Sequence, residues 1–221
     1  MIYEISPLAI KDLLIRQLSN FFPLCKEEYK QIDDSFDNVL TRCEHNFSRN
    51  PNRYYHSSED SMEAYFNPFH SGQWTIFIYY FSHYLYNCYK LSGGGKLVDK
   101  LFYLNKIMNG IDIFYDVELP DFFTLNHQVG TVLGRAKYSN GFSFIQNCTV
   151  GESFGVWPVI GENCCMCAGS SIIGNTIIGD NVTIGAGATV KNSTIPSNVI
   201  VFGESPNLII KKKKRLTPFY W

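Results

Sequence analysis

The 221-residue chain lacks an excess of either charge: 19 Lys and Arg stand against 20 Asp and Glu, a formal net charge of −1. Five of those basic residues sit together in Lys211-Lys212-Lys213-Lys214-Arg215, and without them the body carries 14 positive against 20 negative charges. A protein that coats a polyanion needs a basic field, so a general nucleic-acid partner is excluded. Long apolar runs are missing too. The longest, Trp74 to Tyr86, is broken by Ser82 and His83 and is too short to span a bilayer. The first residues include Glu4 and offer no signal-peptide core. A soluble, cytoplasmic protein without a membrane span is expected. Seven cysteines, an odd number with no export signal, read as reduced thiols. The C-x-x-C in Cys164-Cys165-Met166-Cys167 has no second pair nearby, so no metal site is expected. Histidine is scarce: beyond residue 83 only His127 remains. What is present, 45% hydrophobic and 15% aromatic residues, is enough for a substantial core and excludes wholesale disorder.

Glycine divides the chain. Residues 1–109 hold four glycines and residues 130–221 hold twelve. The first part reads as helical. Leu8, Leu13, Leu14, Leu18 and Phe21/Phe22 recur at helical spacing up to Pro23, and Ile32, Phe36, Val39 and Leu40 share one face of a segment from about Glu27 to Phe47. Asn50–Asp60 is polar and contains a proline, and is expected to be a loop. Trp74–Lys90 and Lys96–Met108 are expected to form a helical hairpin around Gly93-Gly94-Gly95. The aromatic density of the first of these could stack bases, but it has no basic neighbours, so buried packing is the better reading.

The second part follows a period of six. Ile160, Met166, Ile172, Ile178, Ile184 and Val190 are evenly spaced, and four residues after each stand Cys164, Ser170, Thr176, Val182, Ala188 and Thr194, all small or β-branched. Phe144 and Val150 extend the phase upstream. Neither a helix nor an alternating strand has this period. It is the hexapeptide repeat of a parallel β-helix, in which three hexapeptides make one triangular coil with the large aliphatic inside. The phase breaks between Val150 and Ile160, ten residues apart, so Gly151–Pro158 should bulge out as a loop.

From His127 to Ile210 the chain resembles the serine acetyltransferases and related hexapeptide-repeat acyltransferases. The resemblance is carried by Asn126-His127-Gln128-Val129-Gly130-Thr131-Val132-Leu133-Gly134, by Ser143–Gly151, by Ile184–Ala188 and by Gly203–Ile209. It implies an α+β chain: a helical N-terminal domain, residues 1–110, then a left-handed parallel β-helix, residues 111–210, and a basic tail, 211–221. It implies acetyl-CoA as cosubstrate, a hydroxyl acceptor, and a homotrimer or dimer of trimers with sites between adjacent β-helices.

An acetyl transfer to an alcohol needs a base, and imidazole suits the task, which points to His127. The family places an Asp about fifteen residues upstream. Here Asp112, Asp116, Glu118 and Asp121 lie in that stretch, with Glu118 favoured and Asp116 next. Asn126 stands where the family has an Asp, and Val156-Trp157-Pro158 where it has Arg-His-Pro. Both counter-charges for a zwitterionic amino acid are therefore missing. Trp157 and Asn126 suit a polyhydroxylated acceptor, so a sugar or glycan is expected over serine. Trp157 either stacks on that acceptor or packs on a neighbouring subunit. Gln146, Ala168, Gly169, Gly185 and Ala186 lie where the family threads the pantetheine arm. Lys211–Arg215 could clamp the CoA 3′-phosphate, meet an anionic glycan or remain a solvated tail. His70 is assigned a structural role. A catalytically inactive trimeric scaffold is the alternative outside enzymes.

Overall fold

A computed structural model describes residues 1–58, 61–89 and 95–214, in two units, Met1–Asn109 and Gly110–Trp221. In the first unit, β1 (Ile2–Tyr3) precedes α1 (Pro7–Phe21). Ser6 caps α1 by accepting the Ala9 N–H at 3.2 Å, and Pro7 takes the first turn, where its missing N–H costs nothing. The second helix, α2 (Lys26–Phe47), starts with the Glu28 carboxylate accepting the Cys25 N–H at 2.9 Å, and buries Ile32, Phe36, Val39 and Leu40 on one face as the spacing predicts.

The expected Asn50–Asp60 loop is a correction. Among its described residues it holds a 3-10 turn, Arg53–Tyr55, and a strand, β2 (His56–Ser58), which pairs antiparallel with β3 (Ser61–Phe66); Glu59 and Asp60 lie outside the described residues. On its other edge β3 takes β1 in parallel, Ile2 opposite Tyr65. A three-residue polar edge strand has no periodicity of its own; its long-range partner makes it a strand. The helical hairpin is present as α3 (Ser71–Tyr89) and α4 (Lys96–Asn109); Lys90, Gly93 and Gly94 lie outside the described residues. Helix α3 is buried almost all round, with Trp74 stacked on Phe77 at 4.9 Å between centroids, so its aromatics are core and not a base-stacking platform.

The second unit is a parallel β-solenoid of about five turns. Its strands are β4 (Asp112–Ile113), β5 (Phe123–Leu125), β6 (Val132–Leu133), β7 (Phe142–Phe144), β8 (Thr149–Gly151), β9 (Val159–Ile160), β10 (Cys165–Met166), β11 (Ser171–Ile173), β12 (Ile177–Ile178), β13 (Thr183–Ile184), β14 (Thr189–Lys191), β15 (Thr194–Ile195), β16 (Val199–Glu204) and β17 (Asn207–Lys212). One face stacks β4-β6-β8-β11-β14, the second β9-β12-β15, and the third β5-β7-β10-β13-β16. The residues that the period of six places inside, Ile160, Met166, Ile172, Ile178, Ile184 and Val190, are all buried.

The phase ends one residue early. Ile178 pairs with Ile195, so Thr194, expected at a small inward position, is exposed and Ile195 takes the core. At the far end β16 pairs with both β13 and β14 and then turns back antiparallel into β17, Val199 opposite Lys212. Lys211 and Lys212, assigned by sequence to the tail, are thus the last residues of β17, because the ladder with β16 continues through them. Arg215 lies outside the described residues.

Candidate active site

Three corners run down the triangular solenoid. The first, from the third face to the first, is where the functional residues collect. It comprises residues 126–131, 145–148, 167–170 and 185–188 in successive coils, bound to one another by Asn147 N–H to Val129 O at 3.0 Å, Gly169 N–H to Gln146 O at 3.0 Å and Gly187 N–H to Ala168 O at 2.9 Å. Asn126, His127, Gln146, Ala168, Gly169 and Ala186 therefore lie on one edge of one chain.

His127 sits on a deformity of that edge. Leu125 pairs with Phe144 and Leu133 with Val150. Eight positions separate the first residues of these pairs and six the second. The two extra residues swell the corner. Gly130 (φ 76°) stacks over Asn147, and a Cβ on it would meet the Asn147 Oδ1 at 2.1 Å, so only glycine fits. Thr131 pins the swelling from below: its hydroxyl donates to Ile145 O at 2.7 Å and accepts the Cys148 N–H at 3.1 Å. The exposed His127 has φ 51°, a left-handed conformation that five of the seven non-glycine examples among the described residues fill with Asn.

The acids are distributed differently from expectation. Glu118 lies at another corner, lining a cavity of about 380 Å³ with Pro120, Tyr138, Asn140 and Glu162, and is not brought to His127. Asp116 is engaged by Arg135 at 2.5 Å. The acid on the coil that precedes His127's is Asp112, whose N–H bonds Thr131 O at 2.9 Å and which pairs with Val132 in the ladder. Glu118 stands nine residues before His127, short of the family's fifteen, and the two corners that the chain turns between residues 113 and 123 carry it away from the histidine.

The Gly151–Pro158 loop stands at the second corner, between β8 and β9. Ser153 and Val156 exchange two backbone hydrogen bonds of 3.1 Å, and Phe154 (φ 52°) and Gly155 (φ 75°) make the tip. Phe154 is fully exposed. Trp157 is exposed outside the coil, as its place in the phase requires, with its indole N–H on the Glu152 carboxylate at 3.0 Å. Trp157 and His127 therefore occupy different corners of the same solenoid. Glu152 escaped the sequence reading, since only the indole contact marks it.

Two observations bear on whether the edge fits the pantetheine arm of acetyl-CoA. The Gln146 side-chain oxygen is buried with no hydrogen-bond partner, an acceptor suited to an amide N–H. Along the edge, a Cβ on Gly187 would meet nothing within 4 Å, and one on Gly169 only the Gly187 nitrogen at 4.0 Å. The edge is thus an open ridge of small residues. Gly185 is a correction: it is buried, and a Cβ on it would meet the Phe202 ring at 2.6 Å, so Ala186 and Gly187 form that step. Among the described residues no group of three or more His, Cys, Asp or Glu could hold a metal ion, and no helix is long and apolar enough to cross a membrane.

Residues 158–192 match the family model described as bacterial transferase hexapeptide (six repeats). No curated protein matches the chain by sequence. Among solved structures, the Neisseria gonorrhoeae serine acetyltransferase is similar at 25% identity, over 95% of this chain and 81% of that one, with a TM-score of 0.67. The same enzyme in complex with serine is similar at 27% identity, over 88% and 81%, with a TM-score of 0.65. A serine acetyltransferase in complex with CoA shares the fold at 19% identity, over 93% and 84%, with a TM-score of 0.68. The chain has the hexapeptide repeat and the two-part fold of these acetyltransferases.

Proposed function

We propose that the chain is an O-acetyltransferase that moves an acetyl group from acetyl-CoA to the hydroxyl of serine. The observation that carries the reading is the match over 95% of the chain to a serine acetyltransferase, with the one histidine of the C-terminal half on the swollen first corner. The sugar or glycan acceptor expected from the sequence has no support among these neighbours, one of which was solved with serine. The expectation rested on missing counter-charges. Glu152, however, puts a carboxylate on the loop, which can supply the counter-charge for an ammonium group.

In this reading His127 takes the proton from the acceptor hydroxyl as its oxygen attacks, and returns it to the departing thiol. Asp112, fifteen residues upstream and on the preceding coil, is the positioning residue for the imidazole. Gln146 and the Ala168-Gly169 and Ala186-Gly187 steps hold the pantetheine arm, which presents the thioester carbonyl. Backbone N–H groups at the corner steady the oxyanion. A homotrimer, alone or as a dimer of trimers, brings the Glu152–Trp157 corner of one chain to the His127 corner of the next, which one chain alone cannot do. The reading places the enzyme in the cytoplasm. The test is thiol release from acetyl-CoA with a panel of serine and sugar acceptors. Serine-dependent release is expected, and faster turnover of any sugar than of serine overturns the acceptor assignment.

A further inference from the structure

The second corner holds a cation beside Glu152. In the ladder between β6 and β8, Val132 pairs with Thr149 and Leu133 with Val150. The stacking continues past the strand ends. Gly134 N–H bonds Val150 O at 2.7 Å, and a Cβ on Gly134 would meet Val150 O at 2.8 Å and the Gly151 Cα at 3.5 Å. One residue further along each coil stand Arg135 and Glu152. By Lys137 the register has jumped across the loop, since Lys137 pairs with Val159. Arg135 therefore stands against the root of the loop that carries Glu152 and Trp157.

The two charges are held by different groups. The Arg135 Nε and one terminal nitrogen donate to a single oxygen of Asp116, on the preceding coil, at 3.2 and 2.5 Å. The Glu152 carboxylate accepts the Trp157 indole N–H at 3.0 Å. The Asp116 side chain is 18% exposed and its second oxygen is buried, whereas the Arg135 side chain is 54% exposed, so the pair fixes the guanidinium and presents it to solvent. A planar fork held along one edge is pre-organised to receive a carboxylate. Opposite charges rooted on adjacent coils, about 4.8 Å apart at the backbone, match a molecule that carries an ammonium and a carboxylate on one carbon.

We infer that Arg135 determines acceptor specificity: its guanidinium receives the α-carboxylate of the acceptor while Glu152 receives the ammonium, so that the corner selects an α-amino acid over a neutral polyol or a simple amino alcohol. The assignment rests on the function proposed above. The arginine that the resemblance places at Val156 is thereby supplied from the preceding coil.

The test measures thiol release from acetyl-CoA by the full chain with serine, serinamide and ethanolamine, the last two lacking the carboxylate. The wild type is expected to prefer serine to serinamide by about 10–100-fold in kcat/KM. Arg135→Gln should raise the serine KM by about the same factor, leave the acetyl-CoA KM unchanged and abolish the preference. Arg135→Lys keeps the charge and loses the fork, and should fall between the two. Arg135→Gln leaves Asp116 without its cation, so the double variant Arg135→Gln/Asp116→Asn repeats the measurement with that carboxylate removed. The serine-to-serinamide ratio is taken within each variant and does not depend on the fraction that folds. An Arg135→Gln variant that keeps the wild-type ratio overturns the assignment of Arg135 and leaves the serine reading standing. Wild type that turns over serinamide or ethanolamine as fast as serine likewise overturns the assignment. Wild type that releases no thiol with serine overturns the reading and the assignment together.

Discussion

His127→Asn is the substitution that separates chemistry from backbone at this site. Alanine would confuse the two. At φ 51° an ordinary L-residue costs about 1–2 kcal/mol in the left-handed region, so His127→Ala would lower stability as well as activity. Asn tolerates that conformation, and the chain already uses it so at Asn147, Asn163, Asn181, Asn192 and Asn198. His127 is exposed, so no core packing is lost. His127→Asn should therefore melt within about 0.5 kcal/mol of the wild type. Asn cannot take a proton at neutral pH, and losing a general base costs about 10²–10⁴-fold, equivalent to about 3–5.5 kcal/mol on the barrier. The assay pairs thiol release from acetyl-CoA with thermal denaturation. A kcat within tenfold of wild type, in a variant of unchanged melting temperature, would refute the assignment of His127 as the base.

Thr131→Val removes a buried hydroxyl that makes two hydrogen bonds and leaves Ile145 O and the Cys148 N–H without it; chemical denaturation should show a loss of about 1–3 kcal/mol, together with a fall in activity as the corner relaxes. Glu152→Gln keeps a partner for the Trp157 indole and discards the charge; steady-state kinetics should show a higher KM for serine with the KM for acetyl-CoA unchanged, and an unchanged serine KM would remove Glu152 from the acceptor site. Burial alone would raise the pKa of Glu28, but its hydrogen bonds and ion pair with Lys100, at 2.6 and 2.8 Å, and the Cys25 N–H hold it below its ordinary 4.5. A depressed carboxylate contributes stability above its unfolded pKa and loses it as pH falls through the folded one, so acid unfolding below about pH 4.5 should be shallower in Glu28→Gln than in the wild type.

The solenoid was legible because its rule is local. Each coil buries one large residue per six, and a residue such as Met166 needs only that period to be placed. The helices α2 and α3 were legible for the same reason, one by an amphipathic stripe and one by continuous apolarity. What was not legible depends on partners distant in sequence. Strand β2 exists through β3, which depends on β1 some sixty residues earlier. Asp112 stands fifteen residues before His127 and Glu118 only nine, so the count along the chain already favours Asp112; what the count does not show is that the two corners between residues 113 and 123 carry Glu118 away. The two-residue swelling at His127 was open to sequence reasoning as a slip of phase between Leu125 and Leu133. It went unused because the period was traced from Phe144 onward.

The stacked corner also acts as a ruler. Neighbouring coils are separated by the interstrand spacing, about 4.8 Å, so from the His127 coil to the Ala186 coil the ridge measures three steps, about 14 Å. The graduation is set by backbone hydrogen bonds and does not depend on which side chains occupy the steps. Lengthening or shortening the solenoid by one whole coil would move every downstream residue by one graduation and leave its outward direction unchanged. Reach along this edge can therefore change in increments of a coil, while the chemistry at the swollen corner stays where it is.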